Sequence, residues 1–262
     1  MGKYLSLLRY EMKTILRDPM NIFMLCFPLI VLALGAFVFP TIFNSMAADQ
    51  EGLSIIMLLL LIVIMTFGSY FIAAMATFLL LDHKDECTLN TIAVTPVGAA
   101  GYLRFKMIYV YLLSLVTTLL VLFGIKYIAG DQYTVFGISL FDNVGTIKIV
   151  VFSVVSSLFV PALSLFQSAF ARNKVEGFAF IKGTGIILFI PVLMLLDAMR
   201  GGLQYILGIF PNFWAVKGML NAFMPFGSSA DLSFGLYMLV GAVFNLVIIG
   251  VTYRLFLKKT QY

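Results

Sequence analysis

Six apolar stretches, approximately residues 21–40, 53–81, 107–130, 149–171, 177–196 and 232–257, constrain this chain more than any other feature. A helix rises about 1.5 Å per residue, so about 20 residues cross a hydrocarbon core of about 30 Å. Each stretch is near or above that length. In a soluble core of this size the apolar residues would be broken into amphipathic patterns. Only 11% of the 262 residues are charged and 62% are hydrophobic, against roughly 25% charged in an ordinary soluble domain. The expectation is an all-α polytopic membrane protein, one transmembrane domain over 1–262 with six transmembrane helices. The fifth stretch is the least regular, because Lys182 leaves 14 uncharged residues before Asp197, and the lysine must snorkel to an interface.

Charge placement predicts orientation. Lys and Arg cluster before the first stretch (Lys3, Arg9, Lys13, Arg17), in the 82–106 loop (Lys84, Arg104, Lys106), in 172–182 (Arg172, Lys174, Lys182) and at the C-terminal end (Arg254, Lys258, Lys259). The other side holds only Lys126, Lys148, Arg200 and Lys217, while acidic residues divide evenly. The positive-inside rule then puts both termini in the cytoplasm of a cell inner-membrane protein. The net charge of +5 is scattered and forms no patch suited to nucleic acid. Residues 1–18 lack the short apolar core and cleavage site of a signal peptide, so the first span is expected to act as its own insertion signal.

Two segments between spans and termini are themselves patterned. Leu5, Leu8, Met12 and Ile15 recur at steps of three and four beside the stripe Arg9, Lys13 and Arg17, which predicts an interfacial amphipathic helix over 1–18. Residues 197–231 lie outside the cytoplasm by the charge count, yet 203–220 are mostly apolar. Pro211 and the glycines cut this stretch into pieces too short to span, so it reads as re-entrant or interfacial helices, with Tyr205 and Trp214 as headgroup anchors. A surface flap is the alternative.

Chemistry-bearing residues are sparse. His83, the one histidine, stands among Asp82, Lys84, Asp85 and Glu86 and reads as a solvated loop residue. Cys26 and Cys87 sit far apart and imply no disulfide or metal site. No Gly-x-x-x-x-Gly-Lys-Ser/Thr sequence occurs, so any ATP and Mg must be held by a partner and no cofactor is expected in this chain, which is not read as an enzyme. The span interiors carry no ionisable residue suited to a proton-coupled carrier. They carry hydroxyls: Thr66, Tyr70 and Thr77 on one face of the second span, Ser153, Ser157, Ser164 and Ser168 on one face of the fourth. Such residues serve helix packing or a substrate-contacting wall. Pro28, Pro161 and Pro191 are expected to kink their helices. Surfaces of this kind, without a charged clamp, suit a hydrophobic or amphipathic cargo such as a drug, lipid or lipopeptide.

The segment 81–106 is the most informative. It starts acidic, turns into a short helix-like stretch with Leu89, Ile92 and Ala93 on one side, and stops at Thr95-Pro96. It resembles the cytoplasmic region between the second and third spans of the type 2 ABC exporter permease family, in which a glutamate and Gly-Thr-Leu lead to Thr-Pro and then to a lysine. The matching positions are Glu86, Thr88 and Leu89, then Thr95 and Pro96, then Tyr102 and Lys106; Cys87 replaces the usual glycine and Ala93 a frequent leucine. Arg17-Asp18-Pro19 before the first span and Phe210-Pro211 before the last extend the likeness. The resemblance implies a half-transporter that dimerises with itself or a sister subunit, binds cytoplasmic ABC ATPase subunits and exports its substrate. It implies coupling through Asp85, Glu86, Thr88, Leu89, Ile92, Thr95 and Pro96 and a path along the second and fifth spans, past Thr66, Tyr70, Thr77 and Thr184. The competing class is a secondary carrier or channel without an ATPase; an intramembrane enzyme or scaffold is a third.

Overall fold

The computed structural model describes residues 2–45, 50–86, 88–94, 98–135, 138–199, 201–224 and 230–260. It is an all-α membrane protein. The six spans are Pro19–Ser45, Gly52–Asp85, Gly98–Gln132, Thr146–Phe170, Lys174–Leu195 and Phe234–Lys259, each long and apolar enough to cross a bilayer. The second and fourth are the most enclosed, while the first, fifth and sixth are open over most of their surface. The first described helix and the end of the last span lie at one end, here the near end, where Glu11 pairs with Lys106 and Tyr253 of the last span donates to the Ala100 carbonyl of the third at 3.1 Å.

Helix α1 (Gly2–Ile15) precedes the first span. The expected helix is present, and of its apolar stripe Ile15 turns to the bundle while Leu8 and Met12 do not. Leu8, Met12 and Leu16 are exposed, whereas Glu11 and Ile15 are buried against the bundle. The first span begins as α2 (Pro19–Ala33), capped by Asp18, whose carboxylate accepts from the Met20 amide at 2.9 Å and from Asn21 at 3.1 Å. Pro19 at the first helical position costs no hydrogen bond. Helix α2 runs through Pro28, and the irregularity expected there falls later, as a π turn over Leu34–Val38 before α3 (Phe39–Ser45). The Gly35 carbonyl in that turn accepts from the buried Tyr133 hydroxyl at 2.6 Å.

The second span is α4 (Gln50–Asp85) and the third is α6 (Gly98–Ala129), with α5 (Thr88–Ala93) between them. The 82–106 connector is therefore mostly helical, and Tyr102 and Lys106 stand inside the third span. Gly98 opens α6 at a φ of 64°, a left-handed backbone that glycine adopts without strain. Beyond α6 a two-stranded hairpin pairs β1 (Thr134–Val135) with β2 (Ile138–Ser139) at the far end.

The fourth span divides into α7 (Thr146–Ser156) and α8 (Phe159–Phe170). The break precedes Pro161, which cannot donate to the Ser157 carbonyl; the Val160 amide reaches that carbonyl instead at 3.2 Å. The fifth span starts as α9 (Lys174–Thr184) and continues as a 3₁₀ helix over Gly185–Leu195. Leu188, Pro191 and Met194 are buried while Ile186 and Phe189 are exposed, the three-residue period of that geometry. At about 2.0 Å per residue, the short uncharged run after Lys182 extends to about 28 Å, close to the hydrocarbon thickness. An α-helix would have left it several ångströms short. The Ile187 carbonyl accepts from the Asn212 side chain at 2.9 Å, which ties this helix to the fold-back beyond it. Lys182 itself is exposed and lies over the Phe178 ring at 4.5 Å.

Between the fifth and last spans, a 3₁₀ helix (Gly202–Ile209) and α10 (Phe213–Phe223) fold back onto the bundle before α11 (Phe234–Thr260). Helix α10 is buried along nearly its whole length, so the segment is no surface flap. Leu203, Ile206 and Ile209 form an exposed apolar stripe. Tyr205 and Trp214, expected as headgroup anchors, are half-buried and stacked on each other with ring centres 5.9 Å apart. Two apolar cores result: one near the far end around Tyr133, Phe141, Phe213 and Phe223, and one near the termini around Ile15, Leu80, Val110 and Phe256.

Candidate functional site

At the near end, α4 ends in a run of polar residues that are nearly all engaged. Lys84 caps the C-terminus of α8, donating to the carbonyls of Ser168 at 2.5 Å and Ala171 at 3.2 Å, and lies 4.9 Å from the Phe256 ring centre. Asp82 pairs with Lys174, and Asp85 accepts from the Lys174 amide at 3.1 Å. The second span is thereby tied to the start of the fifth. Glu86 is exposed, as is Val94 beyond α5, at 85%. Ile92 is half-buried against the near-end core, so part of the apolar face expected to point outward is used internally. Leu89 lies within α5; Thr95 and Pro96 lie outside the described residues.

His83 is not a solvated loop residue. It is 4% exposed, within a chain of hydrogen bonds that the sequence reading missed. Its Nδ1 lies 2.7 Å from the Thr88 hydroxyl and its Nε2 lies 2.6 Å from the Tyr102 hydroxyl. Tyr102 donates to Glu11 Oε1 at 2.5 Å, and Lys106 bonds the Tyr102 oxygen at 3.0 Å, the Leu79 carbonyl at 3.0 Å and Glu11 at 3.3 Å. Because Tyr102 has one proton and gives it to Glu11, its oxygen accepts from His83 Nε2–H, and a neutral imidazole then offers Nδ1 to the Thr88 hydroxyl. The Thr88, His83 and Tyr102 donors thus run in one direction, towards the carboxylate. Glu11 and Lys106 are 1% and 0% exposed. Charges so placed are tolerable only when paired and hydrogen-bonded. The sequence signal was present in two forms: Glu11 on the helix face between Leu7 and Ile15, and Tyr102 one turn before Lys106.

Deeper in the bundle, Tyr70, Thr77 and Thr184 come together through Gln167, another residue the sequence reading passed over. Thr77 donates to Gln167 at 2.6 Å, Gln167 donates to Thr184 at 2.6 Å, and Tyr70 reaches Thr184 at 3.5 Å and the Ile181 carbonyl. This links the second, fourth and fifth spans where α9 gives way to the 3₁₀ helix. Thr66 stands apart, bonded to the Ile62 carbonyl at 2.8 Å beside a void of about 10 Å³. The serines of the fourth span are all buried, and Ser153, Ser164 and Ser168 bond carbonyls of their own helix, which fits packing. Nearer the terminal end, Asp18, Met20, Phe78, Lys174, Val175 and Phe178 line an open cleft of about 450 Å³.

At the far end a further ion pair joins Lys217 of α10 to Asp231 at 3.2 Å. Gln204 donates to the same Asp231 oxygen at 3.1 Å, and the Tyr237 hydroxyl lies 3.4 Å from it. Burial presses the Lys217 ammonium below the ordinary lysine range, against the pull of Asp231. Burial alone would raise Asp231, but the Gln204 hydrogen bond and the Lys217 charge hold it below the ordinary carboxylate range.

The model of the family described as fluoroquinolones export permease protein Rv2686c-like matches residues 11–253. The chain belongs to that family. Two relatives, the fluoroquinolones export permease proteins MT2760 and Rv2686c of two Mycobacterium tuberculosis strains, are each 25% identical over 255 residues, 96% of this chain and 92% of theirs. No solved structure matches the chain. Membership of this export permease family agrees with the resemblance carried by the 81–106 segment. The matched region begins at Glu11, so it takes in both charged partners of the near-end chain, the Tyr70–Gln167–Thr184 junction and the far-end ion pair.

Proposed function

We propose that the protein is the membrane subunit of an ATP-driven exporter, lying in the cytoplasmic membrane with both termini inside, and that it moves amphipathic drug-like molecules outward. The observation that carries this reading is α5, a short helix at the basic, terminal end of the bundle, flanked by exposed Glu86 and Val94 and joined to two spans through buried side chains. Such an element suits docking of a cytoplasmic ATPase. Asp85 and Glu86 would steer a basic partner surface, while Leu89, Ile92 and Thr88 would supply the docking helix that Thr95 and Pro96 close. ATP and Mg belong to the partner. The cargo class draws on the relatives' names and on the apolar walls of the near-end cleft, Met20, Phe78, Val175 and Phe178, with Asp18 and Lys174 beside them. Tyr70, Thr77 and Thr184, and Thr66 further along, would face the path once a second permease subunit, the same chain or a sister, completes it.

The test is co-purification of the tagged protein with an ABC ATPase subunit from its native host, followed by fluoroquinolone uptake into inverted vesicles. Uptake that requires ATP and is abolished by Glu86→Lys supports the reading. Uptake driven by a proton gradient without ATP would replace it with a secondary carrier. Orientation is checked separately: cysteines at Ala99 and Lys174 should be shielded from an impermeant thiol reagent in intact cells, and one at Gln132 should react.

A further inference from the structure

The buried chain at the near end does more than neutralise a lysine. It starts on α1 at Glu11, crosses the third span at Tyr102 and Lys106, reaches the second span at His83 and ends on α5 at Thr88. Four elements, the distant α1 and three that contribute residues from 83–106, therefore share one run of hydrogen bonds. Helix α5 has six residues, too few to hold a helix or an orientation by itself. Ile92 gives it apolar contact, which is non-directional. The described polar contact that fixes its rotation is the pair from the Thr88 hydroxyl to His83, to Nδ1 at 2.7 Å and, more weakly, to the backbone carbonyl at 3.5 Å. At its other end, the Glu11 carboxylate depends on Oε1 alone, since Oε2 is buried without a hydrogen-bond partner among the described residues. The carboxylate thus has no second anchor, and a shift of α1 passes directly to Tyr102 and Lys106.

We propose that His83 and Tyr102 are positioning residues that lock α5 to α1 through Thr88 and Glu11, so that the docking helix and the N-terminal helix move as one body when the partner ATPase closes. The proposal rests on the ATP-driven reading for its role in transport, but the mechanical link itself can be measured in the permease alone. The Tyr102 hydroxyl is the branch point: removing it unties His83, and Thr88 with it, from Glu11, which keeps only Lys106, so both helices loosen. The Thr88 hydroxyl is terminal, and removing it releases α5 only.

Nitroxide labels placed at Thr91 of α5 and at Lys13 of α1, both exposed, report the two helices in purified full-length protein with Cys26 and Cys87 replaced by serine. Thr88→Val keeps the side-chain shape and should raise mobility at position 91 with no change at 13. Tyr102→Phe should raise mobility at both, and Thr88→Ser should behave as the parent. With the ATPase subunit added, Thr88→Val and Tyr102→Phe should lower transport per ATP by about 3- to 10-fold with basal hydrolysis retained, and the double variant should be no worse than Tyr102→Phe. Unchanged mobility at 91 in both variants would overturn the proposal, as would equal loosening by Thr88→Ser and Thr88→Val, which would assign the effect to packing. If the parent protein neither binds an ATPase nor responds to one, the ATP-driven reading fails by itself, and the lock is decided by the label mobilities.

Discussion

The two ends of the molecule each bury a lysine–carboxylate pair, and they use it differently. At the far end, Lys217, Asp231, Gln204, Tyr205 and Tyr237 all come from one stretch of chain, so their network staples a local fold-back, α10 against the last span. At the near end, Glu11 and Lys106 are 95 positions apart, and the network between them also recruits His83 and Thr88. The far pair keeps some access to water, with side chains 6% and 13% exposed, whereas the near pair has almost none, at 0% and 1%. A local staple can yield without altering the bundle. A fully enclosed pair between distant elements cannot, because its separation leaves a charge with neither partner nor solvent.

The largest expected effect follows directly. Lys106→Met strands the Glu11 carboxylate and should destabilise the protein by roughly 3–5 kcal/mol, read from thermal unfolding in detergent micelles, while Glu11→Leu with Lys106→Met should recover most of the loss. If the double variant is as unstable as the single, the ion pair is not what holds α1. Next comes Gly218→Ala at the far end, where an added Cβ would stand 2.7 Å from Tyr237 Cβ and 2.7 Å from Met238 Cε. Tyr237 is fully buried and cannot retreat, so the same unfolding measurement should show a loss of about 1–3 kcal/mol. Gly177→Ala at the near end meets the tip of the Leu81 side chain, which can turn, and should cost less than about 1 kcal/mol.

Lys217→Met should cost about 1–2 kcal/mol, less than its near-end counterpart because water reaches Asp231. A loss equal to that of Lys106→Met would erase the distinction between the ends. The same pair predicts an acid limit. Asp231 is held below its ordinary value of 3.8 in the folded protein, so its contribution is present above the unfolded value and is lost as pH falls through the lower folded one. Asp231→Asn should flatten that part of the stability profile. Lys217, whose folded value is lowered, acts in the alkaline range: its charged form is disfavoured by folding, and that penalty lifts as pH rises through the folded value. Smallest in stability is Glu86→Lys, exposed beside α5, which should stay within about 0.5 kcal/mol of the parent. Its effect belongs to partner retention, and a large loss of stability would show that Glu86 is structural.

Much of this molecule could be read from residue order. Uncharged run length dictates six spans, because hydrocarbon accepts only backbone that satisfies its own hydrogen bonds, and cation placement divides the loops into two sets. The irregular fold-back at 203–220 was visible for the same reason: it is apolar yet broken by Pro211. The helix between the second and third spans was legible from its apolar spacing. What the tertiary structure alone decided is which polar residues meet. His83 looked solvated because its sequence neighbours are charged, but burial is set by the third span and by α1, whose contacts lie 19 and more positions away. Gln167 gave no signal because a single amide in an apolar run has no period, and its partners Thr77 and Thr184 stand on other spans. The 3₁₀ winding of the fifth span was likewise invisible locally, since the apolar run after Lys182 carries no polar period to mark it, and the Asn212 side chain that bonds its Ile187 carbonyl stands on the far-end fold-back. Periodicity reports the solvent a helix face prefers, whereas pairing of buried polar groups depends on the helix that happens to lie opposite.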